Sequence, residues 1–240
     1  MDKYKKEMSI SYTFGIFPTF ELLKHKTAYV QKVMIHEKLN ITPEIQNMLE
    51  FCKQHNIKVE FCTKQIEKIV DKESTMVVGV FSKFETVLER DANHIVLVNP
   101  SDMGNLGTIM RTALGFYVKN IAIIAPCVDI FNPKAIRASM GAVFSLNVQI
   151  FDSFDEYLAQ HGNNHMYPFM LKGEKSLQSL DKFDAPYSLI FGNEGSGLDD
   201  SFLSIGTSVV IKHSPAIDSL NLAISVALAL YTVPYATENI

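Results

Sequence analysis

Five polar side chains are spaced so that a fold could bring them to one place: Asn105, Arg111, Glu194, Ser219 and Asn221. Glu194 is the one charge inside Gly192-Asn193-Glu194-Gly195-Ser196-Gly197, where three glycines and an asparagine let the backbone turn tightly and come close to a ligand. Arg111 is a permanent cation with a planar fork of donors suited to phosphate or carboxylate. Asn105, Ser219 and Asn221 add hydrogen-bonding groups. No Ser-His-Asp order or pair of carboxylates stands out, so the set suits positioning more than nucleophilic or acid–base cleavage. Each residue also has a structural reading. Asn105 would cap a helix beginning at Leu106 and Ser219 would cap the next one. Arg111 would sit on a solvated face, and Glu194 would satisfy the amides of its own turn.

Positioning such groups is the work of strands and helices upstream of them. Tyr187-Ser188-Leu189-Ile190 reads as a buried strand feeding the glycine turn. Ile95-Val96-Leu97-Val98 and Ile121-Ala122-Ile123-Ile124-Ala125 are continuous apolar runs, as expected of parallel strands covered on both faces. Between them Leu106, Ile109, Met110, Ala113 and Leu114 recur at helical spacing, completing a strand–helix–strand unit. Further strands are expected at Val148–Phe151, Tyr167–Leu171, Tyr187–Phe191 and Val209–Ile211, with a helix over 153–160. The fold class is therefore α/β, with a mostly parallel sheet carrying helices on both faces. Loops 99–105, 191–198 and 212–219 follow strands, and ligands in such sheets bind beyond the strands' carboxyl ends. The last helix, Leu220 to Tyr231, is apolar nearly all round, which predicts burial on most sides, in the core or in a subunit interface touching the site.

A smaller α/β module precedes this core. Phe17–Leu23 begins a helix with Pro18 in its first turn, Tyr29–Ile35 alternates as a strand, and Thr42-Pro43 starts another helix. Ile57–Phe61 alternates again, residues 63–70 suit a helix, and Met76–Phe81 is strand-like. The polar stretch Lys83–Asn93 marks the expected boundary, giving domains 1–90 and 91–240. The module's aromatics and lysines read as core and solvated face, with contact to RNA as the alternative. Met1–Lys6 reads as a loose charged tail.

Composition bounds the function. The 240 residues have a net charge of −4, which excludes a wholly basic nucleic-acid binder. The charge is uneven, however: residues 1–90 sum to +2 and residues 91–240 to −6, so the front half would supply more of any attraction to a polyanion. No apolar run approaches the ~20 residues of a membrane span. Cys52, Cys62 and Cys127 have no metal-type spacing and suit reduced thiols in a cytoplasmic protein, and no metal is expected. A dinucleotide GxGxxG and a Walker loop are both missing; Asn105-Leu106-Gly107 is too short a turn for a pyrophosphate.

The stretch Asn99-Pro100-Ser101-Asp102-Met103-Gly104-Asn105-Leu106-Gly107-Thr108-Ile109-Met110-Arg111 resembles motif 1 of the SpoU (TrmH-like) branch of the SPOUT RNA methyltransferases. Gly192–Leu198 resembles motif 2, Ile211 through Ser225 resembles motif 3, and Asn132–Ala142 matches a further family segment. The likeness covers roughly residues 94–235, and the front module resembles more weakly the ribosomal-protein-like substrate-binding domain of many members. It implies transfer of a methyl group from S-adenosylmethionine to a ribose 2′-hydroxyl, in ribosomal RNA ahead of transfer RNA, by a homodimer whose catalytic domain carries a deep trefoil knot. A non-catalytic RNA-binding or ribosome-assembly protein is the rival reading. By the same resemblance Asn105, Arg111, Glu194, Ser219 and Asn221 are catalytic. Arg111 would act as base or as a clamp on ribose and phosphate, the others would hold it and the hydroxyl, and Glu194 would orient the motif 2 loop or pair with Arg111. Gly192, Ile211 and Leu220, with Leu171 as a fourth, would meet the cofactor. Departures from the family pattern are Asn99 in place of an Asp, Thr108 in place of an Ala, and a longer motif 1 loop at residues 101–104.

Overall fold

The computed structural model describes residues 2–70 and 75–232. The chain forms two compact units, and it crosses between them three times: Met1–Glu85 and Asp129–Ser145 make one, Thr86–Val128 and Leu146–Ile240 the other. The first crossing falls inside the polar stretch Lys83–Asn93. The return of Asp129–Ser145 to the front unit was not legible in the sequence, because that segment reads as part of the second half.

In the front unit the order is β1 (Ile10–Phe14), α1 (Ile16–His25), β2 (Val30–Ile35), α2 (Pro43–Gln54), β3 (Lys58–Phe61), α3 (Thr63–Ile69) and β4 (Val77–Ser82). Among the described residues these strands form a four-stranded mixed sheet in the order β1-β4-β2-β3. Sequence patterning misses β1, since Ser11 and Thr13 are polar yet fully buried. Each is satisfied: Ser11 Oγ donates to the Phe131 carbonyl (2.5 Å), and Thr13 Oγ1 pairs with Thr19 Oγ1 (2.7 Å) and accepts from the Gly79 N–H (2.9 Å). The N-terminal segment is docked and not loose. Tyr4 donates to Asp129, Lys83 Nζ lies over the Tyr4 ring, and Tyr4 and Met8 pack on the core of Tyr12, Met34 and Val78.

The second unit begins with β5 (His94–Val98), α4 (Met103–Gly115) and β6 (Asn120–Ile124). After α5 (Pro133–Ala138), which belongs to the front unit, it continues with β7 (Asn147–Phe151), α6 (Phe154–His161), β8 (His165–Pro168), β9 (Lys175–Ser176), β10 (Tyr187–Phe191), β11 (Val209–Val210) and α7 (Leu222–Thr232). A five-stranded sheet runs β7-β6-β5-β10-β8 with every pairing parallel. From β5 the chain winds outward through β6 to β7; it then moves to the far edge at β8 and inserts β10 between β5 and β8. The loops leaving β5 and β10 therefore open a crevice at the strands' carboxyl ends, where the winding reverses. The run Val209–Ile211 does not join this sheet; β11 pairs in parallel with β9 as a separate ribbon. Helix α7 buries Leu222, Ala223, Val226, Ala229 and Leu230 and leaves Ile224, Leu228 and Tyr231 exposed. Among the described residues no helix is long and apolar enough to cross a membrane.

At the amino ends of the strands lies a buried polar chain. His94 is fully buried, with Nε2 2.8 Å from the Glu89 carbonyl and Nδ1 2.9 Å from Tyr157 Oη. A carbonyl only accepts, so Nε2 carries the hydrogen and Nδ1 accepts from Tyr157. Tyr157 in turn meets Ser188 Oγ at 2.6 Å, and Asn164 Nδ2 donates to Ser188 Oγ at 3.1 Å. The chain ties the linker, β5, α6 and β10 together and has room only for neutral His94. Burial is the main reason that the His94 pKa is pushed down to about 4, against the opposing bond to Glu89. His161, whose pKa is also lowered by burial, packs edge-on to His94. His165 is four residues on but begins a strand, so the two histidines share no helix face.

A folded pKa below the unfolded value of about 6.5 means that the unfolded chain takes up the proton first. The His94 contribution is complete above pH ~6.5 and declines as pH falls toward ~4, by about 3 kcal/mol. Urea unfolding at about pH 7 and about pH 4.5 is expected to register this slope, and His94→Gln is expected to flatten it.

Candidate active site

The motif 2 turn leaves β10 directly. Gly192 has no room for a side chain: a Cβ there would lie 2.1 Å from the Gly197 carbonyl carbon, and Gly197 itself has φ +69°. These two glycines serve the turn's own closure, since Asn193 pairs with Gly197 across it. Asn193 finishes the turn. Its Oδ1 accepts from the Gly195 and Ser196 N–H groups (2.8 and 3.2 Å), while Nδ2 donates to the Asn99 carbonyl (2.8 Å). Asn99 is itself left-handed (φ 52°), a conformation that asparagine tolerates well. The ends of β5 and β10 are thus stapled together across the crevice.

Glu194 strengthens the staple. Its Oε2 accepts from Ser101 N–H (2.9 Å) and Ser101 Oγ (2.7 Å), and its Oε1 from Asp102 N–H (3.1 Å) and Asn105 Nδ2 (3.3 Å). Burial works to raise the Glu194 pKa, but the bonds from the Ser101 hydroxyl and N–H groups, with that of Asp102, outweigh it and hold the carboxyl below its usual value. Glu194 therefore organises the motif 1 loop across the crevice; it does not pair with Arg111. Nor does Asn105 cap its helix. Helix α4 begins earlier, at Met103, and Asp102 is the cap, its Oδ1 accepting from the Asn105 N–H (2.7 Å). An Asp three residues before Asn105 is the sequence signal for that start.

With its side chain released from capping, Asn105 bridges the three loops. Nδ2 donates to Glu194, and Oδ1 accepts from Asn221 Nδ2 at 3.0 Å. Asn221 is also the cap of α7, its Oδ1 accepting from the Ala223 and Ile224 N–H groups (2.9 and 3.3 Å). The capping role expected of Ser219 thus falls to Asn221, and Ser219 is exposed. Asn221→Ala is expected to cost about 1 kcal/mol through the lost cap, with the Asn105 contact in addition, read as a lowered urea midpoint. Arg111 lies on the exposed side of α4 and makes no side-chain hydrogen bond or ion pair among the described residues.

A cavity of about 370 Å³ opens beside this network. Gly192, Ile211, Leu220 and Leu171 all line it, as do Glu194 and Ser219; Asn105, Arg111 and Asn221 do not. Leu171 reaches it from the loop after β8, not from a strand, and is 65% exposed. Three charged or titratable side chains not expected at the site also line it: Lys172, Asp200 and His213. Lys172 Nζ donates to both oxygens of Asp200 (3.1 and 3.0 Å). His213 Nδ1 lies 2.8 Å from the Ile211 carbonyl. Singly each is an ordinary charged or polar surface residue; only the fold brings them to one wall.

Known proteins resemble this chain in sequence and in fold. A 23S rRNA (adenosine(1067)-2′-O)-methyltransferase of Streptomyces laurentii is 27% identical over 243 residues, 88% of each chain. An uncharacterized tRNA/rRNA methyltransferase of Synechocystis is 36% identical over 140 residues, covering 57% of this chain and only about half (51%) of that relative. Among solved structures, the AdoMet-bound rRNA methyltransferase of Sinorhizobium meliloti superposes with a TM-score of 0.80 at 22% identity, over 93% of this chain and 86% of that one, a likeness of fold. The SpoU rRNA Methylase family matches residues 92–231, the span that holds the crevice, the stapled loops and the cavity, and this chain belongs to that family.

Proposed function

We propose that the protein is an S-adenosylmethionine-dependent methyltransferase that methylates a ribose 2′-hydroxyl in structured RNA, ribosomal RNA ahead of transfer RNA. The observation that carries this is one cavity, of a size suited to a small ligand, lined by Gly192, Ile211, Leu220 and Leu171 and walled by the turn that Glu194 ties to Asn105. The donor set fits the ligand. Backbone groups and apolar side chains suit an adenosine, and the Lys172–Asp200 pair suits a zwitterionic amino-acid end. The relatives' names support the choice of chemistry, a 2′-O-methyltransferase of rRNA and a tRNA/rRNA methyltransferase.

S-adenosylmethionine supplies an activated methyl group when bound, so the chain's own task is alignment and proton handling. Asn105 and Asn221 fix the relation of motif 1 to motif 3, and Ser219 stands at the cavity wall for the hydroxyl. Arg111, permanently charged, clamps the neighbouring phosphate from the exposed side of α4. The front unit, most of residues 1–90 with Asp129–Ser145 added, is the RNA-selecting domain, the second unit is the catalytic domain, and the path from motif 2 to α7 is the trefoil knot. The active form is a homodimer, in which the exposed Ile224, Leu228 and Tyr231 of α7 meet a second copy. The setting is the reducing cytoplasm, where Cys52 and Cys62 stay reduced, and no metal takes part.

Calorimetry tests the cofactor assignment directly. S-adenosylmethionine and S-adenosylhomocysteine are expected to bind with one site per chain, and a bulky substitution at the wall, Leu220→Trp, is expected to weaken both by at least about tenfold. Binding of neither compound would remove the assignment.

A further inference from the structure

Transfer of a methyl group to a hydroxyl leaves a proton to be disposed of, and the constellation implied by family resemblance contains no convincing acceptor. Arg111 is permanently protonated and lies outside the cavity lining. Among the described residues, four titratable side chains line the cavity: Lys172, Glu194, Asp200 and His213. Lys172 and Asp200 are paired with each other. Glu194 is already filled by donors from Ser101, Asp102 and Asn105, and those bonds hold it in the weakly basic, ionised form.

His213 is the remaining group, and its surroundings prepare it for the part. The Ile211 carbonyl 2.8 Å from Nδ1 can only accept, so Nδ1 carries the hydrogen and the lone pair of the neutral ring is at Nε2. No hydrogen bond reaches Nε2 among the described residues. The backbone just before the ring is held firmly: Gln178 Nε2 donates to the Lys212 carbonyl (2.9 Å) and its Oε1 accepts from the Lys212 N–H (3.3 Å). Ser176 Oγ in turn donates to Gln178 Oε1 (2.8 Å), from the strand that pairs with β11. The ring is therefore oriented by one carbonyl and its loop by one amide. Both act on the segment that runs from Ile211 on the cavity wall to Ser219 on the same wall.

We propose that His213 Nε2 is the proton acceptor for the attacking ribose hydroxyl, an assignment that rests on the methyltransferase reading above. In that step the ribose oxygen forms the new O–CH3 bond and the methyl–sulfur bond breaks with its electron pair left on sulfur. The hydroxyl proton passes to Nε2, giving an imidazolium whose two N–H groups face the Ile211 carbonyl and the product oxygen. The charge lost at the sulfonium reappears on the ring, so the site's net charge is unchanged. Solvent takes the proton after product release.

The test uses the full chain and His213→Asn, which keeps an N–H near the Nδ1 position for Ile211 but has no group at Nε2. Rates of methyl transfer are measured against pH, cofactor affinity by calorimetry, and the ring's protonation by 15N-histidine spectra. The expected result is a fall in kcat of about 10²-fold or more, with S-adenosylmethionine affinity within about twofold of wild type. The acid limb of the wild-type profile should be missing in the variant. In the spectra of the wild type, the neutral His213 ring should be the Nδ1–H tautomer. A variant with the wild-type rate and pH profile overturns the proposal. So does a loss of cofactor affinity that accounts for the whole loss of rate, which would make His213 a cofactor contact. A wild-type chain that binds no S-adenosylmethionine and transfers no methyl group overturns the underlying reading and the proposal with it, whereas an active wild type beside an unaffected variant overturns the proposal alone.

Discussion

Arg111→Ala is expected to lower methyl transfer by about 10²–10³-fold while leaving S-adenosylmethionine affinity within about twofold. The two effects separate because the arginine and the cavity lie on different walls. Arg111 projects from the exposed side of α4, and no part of it lines the cavity that holds Gly192, Ile211 and Leu220. With no partner inside the described chain, its removal leaves no buried group unsatisfied, and the melting temperature should hardly move. On the function proposed above, what is lost is the fork that would grip a phosphate beside the target ribose. Arg111→Lys keeps the charge without the fork, so a partial recovery, smaller than full activity, is expected. Steady-state kinetics beside calorimetry checks both parts. A variant that loses cofactor binding would show that Arg111 belongs to the pocket.

Glu194→Ala should have the broader effect. Four donors from residues 101–105 converge on this carboxylate. Bonds to a charged acceptor contribute about 1.5–3 kcal/mol each when buried, and partial exposure of Glu194 scales that down. A net loss of about 2–3 kcal/mol is the expectation, read as a lowered urea midpoint. Because the same carboxylate positions the motif 2 turn against motif 1, cofactor affinity and rate should fall together, unlike the separation expected at Arg111. Glu194→Gln tests the charge: its amide turns an N–H toward other donors, so it should recover little. The lowered pKa adds a pH signature. Stability from Glu194 is complete above the ordinary carboxylate range and is lost as pH falls through the lower folded value, so the wild type and Glu194→Gln should converge in acid.

The contrast between these two residues shows what the sequence could carry. Apolar runs such as Ile95–Val98 and Ile121–Ile124 were legible as parallel strands because a strand covered on both faces has no polar side to disguise it. The buried strand β1 was not, since Ser11 and Thr13 occupy its inward positions and only their tertiary partners explain them. Motif spacing named Glu194, Asn105 and Asn221, but their partners depend on which helix start captures which side chain. Asp102 takes the cap of α4 and Asn221 that of α7, which frees Asn105 to join Glu194. Lys172, Asp200 and His213 lie on three different loops, and no local pattern links them before the sheet winds back at β10. The recrossing at Asp129 was hidden for a similar reason: Asn132–Ala142 has the look of a catalytic-domain segment, yet Phe131 packs against Phe81 and Phe84 of the front unit.

The most direct test of the central claim is transfer itself. The purified chain is incubated with S-adenosylmethionine labelled in the methyl group and with ribosomal and transfer RNA lacking their natural modifications, and the RNA is then digested to nucleosides. The expected result is label in a 2′-O-methylated nucleoside, from ribosomal RNA in preference to transfer RNA, and lower by about 10²-fold or more when Arg111→Ala is used at the same concentration. Label on a base, or no label in any RNA from a chain that calorimetry shows to bind the cofactor, would contradict it.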